Sequence, residues 1–235
     1  MGTTTTRHDT DPNVAEIAAL IGDPGRAAML FALLDGRDLS ASELAYRAGV
    51  SPQAATAHLK KLVGAGLLAM RTAGRHRLFR LASPEVGHAM ETLAAIAKPT
   101  RIVALRQSSA MTRLREARSC YDHLAGRLGV AVTQRLIERG ALRLRGEDLG
   151  IAPGAAREFA RIGIDLDAVR DSRRTLARAC LDWTERRPHV AGSLGASLLE
   201  LFLAREWVAR NRGDRSLRIT AAGRQALERD FQLRF

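Results

Sequence analysis

Cysteine is scarce in this chain, with two among 235 residues. Two thiols cannot build the multi-bridge framework of a small secreted domain, and with no export signal in view they are expected to stay reduced. Aromatic residues are also few, at 4% against 46% hydrophobic residues overall. Cores must then be built from Leu, Ala and Val, which favours helices. Long apolar runs are missing. None approaches the roughly 20 residues that span a bilayer, so no membrane partner is expected and a bacterial cytoplasm is the natural compartment. Lysine is nearly absent: Lys60, Lys61 and Lys98 stand alone among 37 basic residues. No Walker loop, dinucleotide fingerprint or G-x-S-x-G elbow occurs, which removes the usual sequence grounds for an enzyme.

What is abundant is arginine. The formal net charge is +12, with 37 basic against 25 acidic residues. Guanidinium groups give bidentate contacts to phosphate and to guanine. GC-rich coding also produces an Arg surplus, so the surplus supports nucleic-acid binding only beside a matching motif.

Residues 40–82, SASELAYRAGVSPQAATAHLKKLVGAGLLAMRTAGRHRLFRLA, supply that motif. Ser40 followed by Glu43 is a capping box that opens a helix. Gly49 ends it, and Ser51-Pro52 opens a second helix: Ser accepts orphan amides and Pro suits the first helical position. That second helix turns Leu59, Leu62 and Val63 towards a core. Ser51, Gln53, Thr56, His58 and Lys60 are left to reach base edges or phosphates. Strands are expected at 67–70 and 78–81, around a loop carrying Arg71, Arg75 and Arg77. The layout is helix, turn, helix, basic hairpin, as in a winged helix-turn-helix.

Over roughly residues 14–98 the chain resembles the ArsR/SmtB family of bacterial transcriptional repressors, on the stretch ELAYRAGVSPQAATAHLKKLVGAGLLAMRTAGRHRLFRL. The resemblance implies a homodimeric winged-helix protein that binds a pseudo-palindromic operator in double-stranded DNA and releases it on a signal. It also implies a dimer interface made by the first and last helices of the domain. Two departures matter. The segment Glu43–Ala48 lacks the Cys-x-Cys of many metal-sensing members, and SPEVGHAMETLAAIA offers only His88 and a few carboxylates where others bind zinc. Neither family metal site carries over.

Residues 1–12 are polar and expected to be disordered. The DNA-binding and dimerisation domain is expected at 13–98, with helices over 13–34 broken at Gly22-Asp23-Pro24-Gly25. Asp23 is positioned to cap the second of them. A further helix is expected at 84–97, and the boundary at Lys98-Pro99-Thr100.

The remainder, 99–235, carries an internal repeat. HLAGRLG (123–129) returns as HVAGSLG (189–195), and LGIAPG (149–154) is echoed by LRITAAG (217–223). Each copy is followed by a helical stretch, and the second leads into a basic hairpin with Arg210, Arg212, Arg215 and Arg218. The fold class expected is therefore mainly α with short β-hairpins: a winged helix-turn-helix domain and a C-terminal domain of two related winged-helix-like halves, about 120–160 and 180–232. Residues 146–172 read as a loop with a short helix. Arg113, Arg115 and Arg118 are candidates to extend the DNA-contact surface or to pair with carboxylates.

Cys120-Tyr121-Asp122-His123 opens the first half, and Cys180-Leu181-Asp182-Trp183, with His189 beyond, opens the second. If the halves are related by symmetry, Cys120, His123, Cys180 and His189 converge. Two thiolates and two imidazoles suit Zn²⁺ or another thiophilic metal or metalloid. Tyr121, Asp122, Asp182 and Trp183 are the candidate lining of an effector pocket, the two Asp also as partners to the ligands. Three readings stay open for the cysteines: metal binding, thiol redox or organic-ligand sensing, and plain core packing. Cys180 and Arg186 also satisfy a bare Cys-x5-Arg phosphatase pattern, but Asp182 and Glu185 would repel an oxyanion and Trp183 would crowd it. The expectation is a non-enzymatic regulator whose C-terminal domain reads a metal, thiol-redox or small-molecule signal. The alternative is a constitutive or partner-controlled DNA binder whose C-terminal domain is structural.

Overall fold

In the computed structural model, residues 12–98, 105–146, 148–170 and 174–235 are described. The expected disordered tail, apart from Pro12, and the expected boundary at Pro99-Thr100 lie outside them.

The chain begins with α1 (Val14–Ile21) and α2 (Pro24–Ala32). Asp23 caps α2 by accepting from the Arg26 amide at 2.9 Å, and Pro24 fills its first turn. A two-residue strand, β1 (Leu39–Ser40), leads into α3 (Ala41–Ala48). The capping box is complete: the Glu43 amide donates to Ser40 Oγ at 3.3 Å, and the Ser40 amide donates to Glu43 Oε2 at 2.9 Å. Then come α4 (Pro52–Gly64), β2 (Leu68–Ala73), β3 (His76–Leu81) and α5 (Pro84–Ile96). The sheet order is β1-β3-β2, antiparallel, with Leu39 opposite Phe79. One core joins these elements, including Met29, Leu30, Leu44, Leu59, Leu62, Phe79 and Met90.

Two local readings need correction here. The strands of the wing run further than expected, pairing as far as Ala73 with His76, so the loop is only Gly74-Arg75 and Arg71 and Arg77 sit within strands. Their polar sequence concealed an alternation that backbone pairing supplies. The strand β1 was not anticipated, because two residues carry no pattern.

After α6 (Leu105–Glu116), each later half repeats one order: hairpin, 13-residue helix, hairpin, helix. The first half has β4 (Arg118–Cys120), β5 (His123–Ala125), α7 (Gly126–Glu138), β6 (Leu142–Arg145), β7 (Asp148–Ile151), α8 (Ala156–Ile162) and the short α9 (Leu166–Arg170). The second has β8 (Arg178–Leu181), β9 (Pro188–Ala191), α10 (Gly192–Ala204), β10 (Val208–Arg210), β11 (Leu217–Ile219) and α11 (Ala221–Phe231). The stretch read as a loop with one short helix is thus the end of a hairpin followed by two helices; α8 and α9 are too short to show a helical period.

The repeated H-x-A-G-x-L-G has a steric cause. Gly126 and Gly192 take φ of +74° and +83°, and a Cβ on them would lie 2.7 Å from the Arg115 carbonyl and 2.4 Å from the Thr175 carbonyl. One turn on, a Cβ on Gly129 or Gly195 would lie 2.4 or 2.5 Å from the carbonyl of Leu124 or Val190. Each helix is thereby drawn down onto the strand before it. Both halves share one core, with Leu124, Leu128, Leu136 and Phe159 meeting Leu194, Leu198, Phe202, Trp207 and Phe231.

Candidate nucleic-acid interface and a buried cysteine–histidine cluster

The helix α4 buries Ala55, Leu59 and Leu62 and leaves Ser51, Gln53, Thr56 and Lys60 exposed at its start and along its outer face. Ser51 also caps the helix, its Oγ accepting from the Ala54 amide at 3.2 Å. Arg75, His76 and Arg77 of the wing line one groove with Ser40, Ser42, Pro52 and Thr56. Cations of the wing thus flank the exposed end of the helix. Two expected contacts sit differently. The His58 side chain is 19% exposed and faces the start of α2, with Nε2 3.8 Å from Asp23 Oδ1. Arg71 is held by Asp38, which offsets its charge. His76 starts β3 opposite Ala73, a position that a loop reaching from 71 to 77 leaves undefined in the sequence.

Arg118, open from the sequence to a DNA surface or to a carboxylate partner, takes the carboxylate, and two arginines of the second basic hairpin are also turned inward. Arg118 is fully buried, and its Nη2 donates to Asp182 Oδ2 at 2.9 Å. Arg215 pairs with the buried Glu91 of α5, and Arg210 donates to the Asp35 carbonyl at 2.8 Å. The second basic hairpin therefore docks on the first domain. An unpaired buried charge is costly, so each found a partner far away in sequence.

The second constellation forms between the two halves. Cys120 faces His123 across β4–β5, and Cys180 faces His189 across β8–β9. The ligand atoms of all four residues lie within 4.8 Å of one another, and all four residues are buried. The two sulfurs are 3.7 Å apart and the imidazole centroids 5.1 Å apart. His123 Nδ1 bonds Asp122 Oδ1 at 3.1 Å, and His189 Nδ1 lies 3.5 Å from Asp182 Oδ2. His123 Nε2 and both nitrogens of His189 are buried with no hydrogen-bond partner among the described residues.

Electrostatics divides the thiols. Cys120, close by and hydrogen-bonded, pulls the Cys180 thiol far below its ordinary value against the effect of burial, and His123 and His189 add to this. Burial, then the Cys180 contact, pushes Cys120 up. His123 is raised: burial works against its charged form, but Asp122 and Cys180 outweigh it. The contact between the sulfurs thus favours charge on Cys180 and disfavours it on Cys120.

Of the expected pocket lining, the Asp pair stands behind the histidines. Asp182 accepts from Arg118, from the Gly126 amide at 2.7 Å and from the Thr184 amide at 2.9 Å. Tyr121 turns away from the cluster: its amide donates to the Leu34 carbonyl at 2.7 Å and its ring packs on Gly87. Trp183 covers the Arg118 guanidinium, 4.7 Å from ring centroid to Cζ. The two aromatic rings therefore serve packing contacts, one on Gly87 and one on Arg118. Arg118 was missed as a site residue, and its sequence context holds no signal for a partner in the other half.

Residues 14–71 match a family model described as a helix-turn-helix domain. A Bacillus subtilis (strain 168) protein, described as the uncharacterized HTH-type transcriptional regulator YdfF, is 40% identical over 224 residues, which is 95% of this chain and 99% of that protein. The chain belongs to the HTH-type transcriptional regulators. Among solved structures, reduced HlyU from Vibrio cholerae N16961 shares 28% identity over 37% of this chain and 90% of its own, at a TM-score of 0.34. The cadmium metal-sensor CMTR from Mycobacterium tuberculosis shares 29% identity over 39% of this chain and 99% of its own, at a TM-score of 0.31. This transcriptional regulator carries a helix-turn-helix DNA-binding domain. Among its described residues, no helix is long and apolar enough to cross a membrane.

Proposed function

We propose that this regulator is a homodimeric repressor of the ArsR type, with a DNA-binding and dimerisation domain at 13–98 and a signal-reading domain at 99–235. The observation that carries the second assignment is the convergence of Cys120, His123, Cys180 and His189 in one buried cluster. Thiolate chemistry of that kind answers to thiophilic metals and to oxidants. In the DNA-bound state α4 enters the major groove with Gln53, Thr56 and Lys60 towards the bases, and Arg75 and Arg77 hold phosphates beside it.

Dimerisation draws support from unpartnered apolar surface. On α1, Val14 is 70% exposed while Ile17, Leu20 and Ile21 are only half-buried against the core, and on α5 Leu93 and Ile96 are 41% and 76% exposed. A two-fold dimer reads a pseudo-palindrome with half-sites about one helical turn apart. The protein acts in this reading by occupancy of DNA in the bacterial cytoplasm, with no catalytic step.

The test is operator-fragment binding by the reduced, purified protein, repeated after chelation, after zinc or arsenite addition and after mild oxidation. A change in affinity that disappears in Cys180→Ser supports a signal read by the cluster. Tight binding indifferent to every treatment supports the other reading, a constitutive or partner-controlled binder, which the full burial of the cluster favours.

A further inference from the structure

We propose that Cys120, His123, Cys180 and His189 hold one resident divalent metal ion of the zinc class, and that this ion fastens the β4–β5 turn against α5 of the DNA-binding domain. The proposal rests on the reading of residues 99–235 as the signal-reading domain and names the ligand and its route.

The ligand class follows from the donor set. Each hairpin contributes one sulfur and one imidazole, at positions that face each other across its two strands. A tetrahedral ion with metal–sulfur bonds of about 2.3 Å separates two sulfurs by about 3.8 Å; here they are 3.7 Å apart. The unpartnered nitrogens decide between metal and plain packing. His123 Nε2 and both His189 nitrogens are buried without a hydrogen-bond partner among the described residues, although buried polar atoms are nearly always bonded. An ion inside the cluster satisfies one nitrogen on each ring.

The carboxylates complete the arrangement. Asp122 bonds Nδ1 of His123 and leaves Nε2 for the ion, while Asp182 stands 3.5 Å from Nδ1 of His189. A carboxylate behind a ligating imidazole fixes its tautomer and raises its basicity. Two thiolates neutralise a divalent charge, which suits a site closed to water, and soft sulfur donors disfavour magnesium and calcium. A disulfide is the rival product of two adjacent thiols. It would leave both imidazoles as they are, buried and unsatisfied, so it explains less of the site.

The route to DNA starts between two of the ligands. Cys120 and His123 bracket Tyr121 and Asp122. Tyr121 sits at φ +57°, donates to the Leu34 carbonyl at the end of the α2 segment, and lays its ring on Gly87, where a Cβ would be 3.0 Å away. Other groups near the cluster grip the same helix. Arg178, in the strand of Cys180, donates to His88 Nδ1 at 3.0 Å. Arg215 joins Glu91 to the Ser119 carbonyl, and Arg186 reaches the Ala95 carbonyl. Positions 87, 88, 91 and 95 fall along one side of α5, while Leu93 and Ile96 remain exposed. The metal-bearing hairpins thus hold the helix that also presents apolar surface for a second subunit.

The test uses full-length protein. Metal analysis should return one zinc per chain, and the stripped protein titrated with Co²⁺ should give, at one equivalent, the absorption of a tetrahedral ion with sulfur ligands. Cys180→Ser should abolish that spectrum. Because that variant could instead misfold, Asp122→Asn provides a second arm: it should keep the spectrum and weaken Co²⁺ affinity by about 10- to 100-fold. Stripped wild-type protein that is folded and shows no sulfur-ligated Co²⁺ spectrum would overturn the metal assignment, even if oxidation still altered DNA affinity. For the route, Tyr121→Ala should bind Co²⁺ as the wild type does and lose the difference in DNA affinity between stripped and loaded protein. If Tyr121→Ala keeps that difference in full, the turn is not the route. If the wild type binds metal and shows no such difference, the coupling and the signal-reading role both fail while the metal site stands.

Discussion

Replacing Asp182 with Ala should cost about 3–5 kcal/mol, the usual loss when one partner of a buried ion pair is removed. The structure supplies the reason. Arg118 and Asp182 both have fully buried side chains, 2.9 Å apart. Asp182 also accepts from the Gly126 amide at 2.7 Å, the Thr184 hydroxyl at 2.7 Å and the Glu185 amide at 3.1 Å. The substitution leaves a guanidinium charge and several donors in a dry interior. At roughly 2–4 °C per kcal/mol for a chain of this size, a loss of about 4 kcal/mol lowers Tm by about 8–16 °C. Trp183 and Trp207 are the only tryptophans and both lie in the second half, so their fluorescence follows this domain. Melting should be recorded in chelator, which separates the ion pair from any metal effect. Arg118→Met combined with Asp182→Ala should recover much of the loss, because no charge is then stranded. A cost below about 1 kcal/mol for the single variant, or a double variant that loses the sum of both singles, would refute the reasoning. Acid should act in the same direction. Burial raises the Asp182 pKa, but Arg118 and His189 outweigh it and hold the carboxyl well below the ordinary range. Its contribution is fully present above the unfolded value of about 4 and is lost as pH falls through the lower folded value. Asp182→Asn should lack that part of the acid sensitivity.

Arg75→Ala should weaken binding to all DNA sequences alike and reduce the salt slope by about 1; an unchanged slope would show that Arg75 makes no phosphate contact. Gln53→Ala should shift sequence preference, with about 1–3 kcal/mol lost at one base pair in a selection from random DNA, and an unaltered consensus would remove it from the readout. Gly129→Ala should destabilise the second domain by about 1–3 kcal/mol, since its Cβ would meet the Leu124 carbonyl at 2.4 Å; a neutral melting curve would contradict the close approach. Ile96→Glu should shift sedimentation towards monomer at concentrations where the wild type is dimeric, and no shift would place the dimer interface elsewhere.

Local signals in the sequence were the readable ones. Ser40 with Glu43, Ser51 with Pro52, and Asp23 with Pro24 mark helix starts through contacts no more than three residues long, so the N-terminal elements could be placed before any tertiary contact was known. The H-x-A-G-x-L-G repeat was legible because two glycines per copy answer to backbone approach, which tolerates no other side chain. From that repeat followed the grouping of Cys120, His123, Cys180 and His189. Long-range pairing was not readable. Arg118 and Asp182 are 64 residues apart, and Arg215 and Glu91 are further still. The sequence offers Arg118 a surface or a carboxylate and Asp182 a place in a pocket, but it does not name the one as the partner of the other. The surroundings of His58 are hidden for a related reason: a helical wheel of α4 leaves it outside the core, and only the approach of α2 brings Asp23 beside it.

The central claim, that an ArsR-type DNA-binding domain is controlled by a metal site in the second domain, is tested most directly by one titration. Fluorescently labelled operator fragment is titrated with metal-stripped protein and with protein carrying one equivalent of zinc, at fixed salt. The account predicts sequence-specific binding in both states with affinities that differ at least several-fold, and equal affinities once Tyr121 is replaced by Ala. Identical curves for stripped and loaded wild-type protein would contradict it.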